Sequence, residues 1–114
     1  MDWTPRQYPR YKAALPVEMR PLAVSVPLRG QTEDISMGGF YVEITFTQPV
    51  STELNITLWV GDTKLHARGV VVSNHPAFGN GIKFTEFGEA DKESLKRFLE
   101  SLAGQRSSGR TAVR

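Results

Sequence analysis

The sequence contains no cysteine. That excludes disulfides and thiolate metal sites and fits a reducing compartment. Histidine is almost as scarce: His66 and His75 are the whole supply, which leaves a metal centre short of its usual ligands. No apolar run approaches the ~20 residues of a membrane-spanning helix. The opening residues, Met1-Asp2-Trp3-Thr4-Pro5-Arg6, lead into no apolar block of the kind that makes a signal peptide. Net charge is only +2 over 114 residues, too little by itself to argue for a nucleic-acid polymer. Nor does any strand interleave aromatics with Lys/Arg, as single-strand binders do. There are no internal repeats. These absences point to a cytoplasmic protein with no membrane segment, no metal and no cofactor.

What is present is enough for one ordinary domain with a core: 39% of residues are apolar and 23% charged. Positive charge gathers at the two ends, in Arg6, Arg10 and Lys12 and in Arg106, Arg110 and Arg114. Residues 1–10, with Pro5 and Pro9, read as an arm without periodicity. From Tyr11 to Arg20, Leu15, Val17 and Met19 alternate with polar or proline positions, so this is a half-buried strand, with Pro16 at an edge or bulge. Further strands are expected from about Leu28 to Ile35 and from Phe40 to Phe46. Leu54, Ile56, Leu58 and Val60 give the cleanest period of two in the chain. Gly61-Asp62 turns it back into a partner strand over Lys64–Val72. Ser73 to Asn80 reads as a polar loop, Asn80-Gly81 as a turn, and Gly81-Ile82-Lys83-Phe84 as a short last strand.

The period then changes. Leu95, Phe98, Leu99 and Leu102 recur at helical spacing between Ala90 and Leu102. Glu89 and Asp91 suit the positive end of the helix dipole, and Gly104 suits its C-terminal cap. Residues 104–114 read as a disordered tail. Six strands joined by short turns and followed by one helix imply an all-β fold, a six-stranded antiparallel β-barrel with one C-terminal α-helix, over residues 11–103. Its expected core is Leu15, Val17, Ile35, Phe40, Val42, Leu54, Ile56, Leu58, Leu65, Val71, Ile82, Phe84, Leu95, Phe98 and Leu99.

Two short stretches carry chemistry. Arg6 and Arg10 are two permanently charged, planar groups able to pair bidentately with phosphate or with the guanine O6/N7 edge. They could equally be solvated surface residues. In Asp34-Ile35-Ser36-Met37-Gly38-Gly39, Asp34 and Ser36 sit two apart on an extended backbone, so their side chains project from one face. The glycines allow a sharp turn and leave the backbone bare. An ordinary hairpin turn favours the same residues. Ser36 has no histidine base in its motif, so no hydrolytic nucleophile is expected and the chain reads as a non-enzyme.

The arginine pair, a strand and then the Asp/Ser/Gly turn, in that order, resemble the PilZ domain family. Arg6-Gln7-Tyr8-Pro9-Arg10 matches its RxxxR motif, Asp34-Ile35-Ser36-Met37-Gly38-Gly39 its D/N-x-S-x-x-G motif, and Gly81-Ile82-Lys83-Phe84 its G-[VI]-x-F strand. The likeness runs from Arg6 to about Leu102. It implies a barrel that binds cyclic di-GMP without catalysis. Arg6 and Arg10 would grip phosphate and guanine, Asp34 would accept from guanine N1–H or N2–H₂, Ser36 would add a hydroxyl, and Gly38 and Gly39 would admit the ligand to the backbone. The resemblance also implies an arm that orders over the ligand and signals to a protein partner in motility, biofilm or related bacterial signalling. Pro5 stands where many relatives carry a further arginine, which favours one ligand molecule over an intercalated pair. A further ligand-facing residue is sought in Ser73-Asn74-His75. Some relatives keep the fold as an interaction module and bind no nucleotide, which is the alternative.

Overall fold

The computed structural model describes residues 8–24 and 26–112, with side chains as far as residue 104. Seven strands precede one helix: β1 (Tyr11–Lys12), β2 (Pro16–Pro21), β3 (Leu28–Ile35), β4 (Gly39–Glu43), β5 (Glu53–Val60), β6 (Thr63–His75), β7 (Gly79–Phe87) and α1 (Glu89–Ala112). All pairings are antiparallel. The order β3-β2-β5-β6-β7-β4 returns through β4 to β3, closing a six-stranded barrel in which every strand has a neighbour on both sides over part of its length. The short β1 is a seventh strand added to β3 beside β2.

The strand expected from Tyr11 to Arg20 is thus split. β1 pairs Lys12 with Asp34, whereas β2 pairs Pro16 with Gln31, so residues 13–15 lie against only residues 32–33. This is a bulge, and Thr32 absorbs it. The Thr32 hydroxyl donates to the Ala13 carbonyl and accepts from the Leu15 N–H at 2.9 Å, while the Thr32 N–H donates to the Leu15 carbonyl at 2.9 Å. The backbone groups displaced by the extra residue are paired by a side chain, as burial requires.

The core is Leu15, Val17, Met19, Ile35, Phe40, Val42, Leu54, Ile56, Leu58, Leu65, Val71 and Ile82, closed at one end by Leu95 and Leu99 of α1. Phe84 and Phe98, expected inside, are half-buried against it, and Met19 joins it unpredicted. The helix docks by its apolar stripe and by Asp91, whose carboxylate accepts the His66 N–H of β6 at 3.0 Å. β6 carries that N–H beyond the end of its pairing with β7, where the ladder offers no acceptor.

Three expectations are corrected. β4 ends at Glu43, and Phe46 stands 79% exposed outside it. β6 and β7 extend to His75 and from Gly79, leaving residues 76–78 as the connection, so Ser73–Asn80 is not a loop and Asn80-Gly81 is not a turn. Asn80 is wholly buried and holds the β4–β5 connection: its side chain accepts the Gln48 N–H at 2.8 Å and donates to the Gln48 carbonyl at 2.9 Å and the Ser73 carbonyl at 3.1 Å. Finally, α1 does not cap at Gly104: helical backbone continues through Ala112. No described helix is long and apolar enough to cross a membrane.

Candidate functional site

β3 delivers Asp34 next to last in its run, just before the buried Ile35. Alternation then points Asp34 outward, and it is 21% exposed. β1 lies alongside in the register Tyr11↔Ile35 and Lys12↔Asp34. Arg10, one residue before β1, therefore arrives diagonally across from Asp34, within reach of a long side chain. Its guanidinium donates to Asp34 Oδ1 at 3.0 Å, with the Arg10 side chain 20% exposed. The pair is charge-assisted and part-buried, stronger than an exposed ion pair and still open to solvent. It joins the arginine motif to the Asp/Ser/Gly turn directly. Arg6, the other expected arginine, lies outside the described residues, as does Pro5.

Ser36 is not on the open face with Asp34. It is 3% exposed, and its polar groups are used within the turn. Its N–H donates to the Gly39 carbonyl at 2.8 Å, its Oγ accepts the Gly38 N–H at 3.0 Å, and the hydroxyl reaches the same Gly39 carbonyl at 3.4 Å. This is a serine-braced hairpin turn of the kind that local side-chain bonding favours.

The two glycines differ from their expected use. Among the described glycines only Gly61 has positive φ, so the turn does not need the left-handed region at Gly38 or Gly39. It needs the missing Cβ. A Cβ on Gly39 would lie 2.0 Å from the Ile82 carbonyl oxygen of β7, so glycine lets β4 close onto β7. A Cβ on Gly38 would meet the Tyr8 ring at 3.1 Å. The space above the turn is thus filled by the arm's own aromatic residue, the central residue of the RxxxR stretch.

Tyr41 completes the face. It pairs with Asp34 across β3–β4, so both side chains share one face. Its hydroxyl lies 3.1 Å from His75 Nδ1, with the rings tilted at 46° and 5.7 Å apart. Burial, then the carboxylates of Glu33, Glu43 and Asp34, raise the Tyr41 hydroxyl above the usual phenol range. It therefore stays protonated and neutral beside Asp34. The alternation of buried Phe40 and Val42 about Tyr41 was the signal that could have found it. His75 falls in the segment where a further ligand-facing residue is sought. Among the described residues no three His, Cys, Asp or Glu side chains are grouped to hold a metal.

Comparison with curated proteins gives no match. Among solved structures, the fold resembles Escherichia coli YcgR in complex with c-di-GMP, with a TM-score of 0.80 and 18% identity over 97% of this chain and 51% of that one. It also resembles the Bacillus subtilis inhibitor of motility MotI/DgrA, with a TM-score of 0.74 and 20% identity over 90% of this chain and 54% of that one. The chain spans about half the length of these two proteins. The PilZ domain of CeSA from a cellulose-synthesizing bacterium gives a TM-score of 0.61 and 23% identity over 85% of this chain and 97% of its own. Identities this low speak for the fold alone. The sequence profile of the PilZ domain matches residues 4–101, nearly the whole chain, and takes in both motifs and the barrel that carries them: this protein belongs to the PilZ domain family.

Proposed function

We propose that the chain is a receptor for cyclic di-GMP that catalyses nothing and acts through the position of its arm. The observation that carries this reading is the Arg10–Asp34 pair, which joins the two motifs at 3.0 Å on a part-open face. Each partner has a better use in the presence of the ligand. A carboxylate accepts two donors from one guanine edge, N1–H and N2–H₂, and a guanidinium matches phosphate or guanine O6/N7. The nucleotide inserts between them, exchanges one ion pair for two charge-assisted contacts, and releases Arg10 from β3. Arg6 adds the second guanidinium. Ser36 and Gly39 act by fixing the turn rather than by touching the nucleotide, and Gly38 opens to it only when Tyr8 moves. Arm movement then reports binding to a protein partner, in the cytoplasm. E. coli YcgR, which shares the fold, is seen with the same ligand, and that supports the choice of nucleotide. One ligand molecule per site is expected, since Pro5 stands before the motif.

Isothermal titration of the full chain with cyclic di-GMP tests the reading. Saturable binding near one molecule per chain is expected, and no heat at tens of micromolar would overturn it. A second reading has one observation in its favour: Arg10 and Asp34 already satisfy each other, so the pair could serve as a plain latch in an interaction module that binds no nucleotide. The same titration separates the two.

A further inference from the structure

A groove of ≈ 640 Å³ lies between the Asp/Ser/Gly turn, the end of β7 and the start of α1. Its apolar surfaces come from Met37, Phe84 and Phe87, and Tyr8 of the arm closes one side. Lys83, Lys92 and Lys96 also line it, all three exposed. Lys92 and Lys96 are one helical turn apart on one face of α1. Among the described residues none of these lysines has an ion-pair partner, and the one acid in the groove, Glu86, is turned to Arg68 at 4.0 Å. The groove therefore holds uncompensated positive charge over an apolar floor.

It also holds an open strand edge. β4 pairs with β7 only as far as Gly39↔Lys83, and the Phe84 N–H donates to the Gly38 carbonyl at 2.9 Å. Beyond that point β7 continues to Phe87, paired on its other side with Ala67 and Arg68 of β6. Thr85 to Phe87 thus have no second strand beside them among the described residues. Other strand ends are also unpaired on one side, residues 63–66 of β6 beyond its pairing with β7 among them. Thr85–Phe87 is the open edge that borders the lysine-lined groove, so a ladder extended there would lie along it.

We propose that this groove docks an extended acidic segment of a partner protein. The segment would lie beside Thr85–Phe87 as an added strand, with carboxylates over Lys83, Lys92 and Lys96 and alternate apolar side chains on Met37, Phe84 and Phe87. Lysines alone would take phosphate as readily as carboxylate. The free strand edge decides for a polypeptide, because only a peptide backbone matches a ladder of N–H and C=O groups. The groove is also coupled to the motif face. Tyr8 rests on Gly38 two residues before Arg10, so whatever draws Arg10 off Asp34 moves a wall of the groove. This coupling, unlike the docking itself, rests on the proposed function.

The test is an amide chemical-shift titration of the full chain with an end-blocked octapeptide of alternating Glu and Phe, and with its Lys/Phe counterpart. The Glu/Phe peptide is expected to shift Met37 and Thr85 to Phe87. The triple reversal K83E/K92E/K96E should weaken it at least tenfold with an unchanged Tm, and K96E alone, a single exposed change, should weaken it about threefold. No shift at these residues overturns the proposal, as does equal binding of both peptides or an unaltered affinity in the lysine variants. Two other occupants are also decided. If rising cyclic di-GMP displaces the peptide without limit, the apparent affinity falling in proportion to nucleotide concentration, the groove is part of the nucleotide site and the proposal falls; a change that levels off at nucleotide saturation is the coupling instead. If the peptide binds only after Asp2→Asn and Trp3→Ala, the chain's own arm is the occupant and the proposal again falls. A peptide that binds without nucleotide supports the docking whether or not cyclic di-GMP binds. A bound nucleotide that leaves the peptide affinity within twofold overturns the coupling alone.

Discussion

The turn from Asp34 to Gly39 and the arm from Tyr8 to Arg10 meet at one place and are held in opposite ways. The turn is satisfied from within. Ser36 braces it with three short contacts, Ile35 and Phe40 anchor its ends in the core, and Gly39 lets it close onto β7. The arm leans on the turn through two side chains, a tyrosine ring against Gly38 and a guanidinium on Asp34. The proposed receptor would use this asymmetry. Its rigid half would select the ligand, because a fixed carboxylate distinguishes guanine by geometry. Its other half, held by part-exposed contacts, would move at small cost, and the ligand would reposition it by differential binding.

The comparison breaks hardest at Gly39. A methyl group there lies 2.0 Å from the Ile82 carbonyl, against backbone that cannot rotate away. Gly39→Ala should destabilise the fold by about 3 kcal/mol, the upper range of overpacking, as read by denaturant unfolding. A loss below about 1 kcal/mol would mean that β4 and β7 separate easily and that the turn is not rigid. Thr32 comes next, since it joins the arm's strand to the strand that carries the turn. Thr32→Val keeps the shape but leaves the buried Leu15 N–H and the Ala13 carbonyl without a partner. A loss of about 2 kcal/mol is expected, with increased amide exchange at Leu15.

Arg10→Ala tests the arm. Stability should change by no more than about 1 kcal/mol, since part-open ion pairs contribute little. Cyclic di-GMP affinity should fall about tenfold or more, the value of one charge-assisted contact. Asp34→Ala should behave alike by calorimetry. If either variant loses stability and keeps its affinity, the pair is a structural latch and the nucleotide binds without using it. Ser36→Ala is milder. It removes the acceptor for the Gly38 N–H, so a loss of about 1 kcal/mol is expected, with any fall in nucleotide affinity following from a looser turn. A collapse of affinity with unchanged stability would instead place Ser36 in direct contact with the ligand.

The barrel was legible in the sequence because period two and period 3.6 are physical consequences of burying one face. Val17, Ile56 and Leu58 could hardly lie elsewhere. The errors fall where a residue answers to a distant partner instead of to its neighbours. Asn80-Gly81 has the composition of a turn, yet Asn80 is fixed inside the strand by Gln48, 32 positions away. The bulge at residues 13–15 depends on Thr32, which local patterning treats as one more strand threonine. Phe84 and Phe98 are apolar and in period but are only half-buried, and only the packing of the whole barrel separates them from Met19. For the site, both motifs were visible, and Arg10 and Asp34 are adjacent as the motif order suggests. What could not be read was which polar groups are already used. Ser36 and the glycines serve the turn itself, and Tyr8, an ordinary aromatic in a coil, turns out to cover it.

That difference is sharpest between neighbours, and the smallest predicted effect tests it. Gly38→Ala places a methyl 3.1 Å from Tyr8 Cδ2. The obstacle is the ring of a side chain that is 45% exposed, so the ring moves and the backbone need not. Gly38 lacks positive φ, so alanine costs no backbone strain, and it restricts the unfolded chain, a gain of about 0.4–1 kcal/mol that offsets the crowding. Net stability should stay within about 0.5 kcal/mol of the parent by denaturant unfolding, while the Tyr8 ring resonances shift. A loss approaching that of Gly39→Ala would show that the arm is bound into the fold as firmly as β7 is, and an arm so held could not serve as the moving half of a switch.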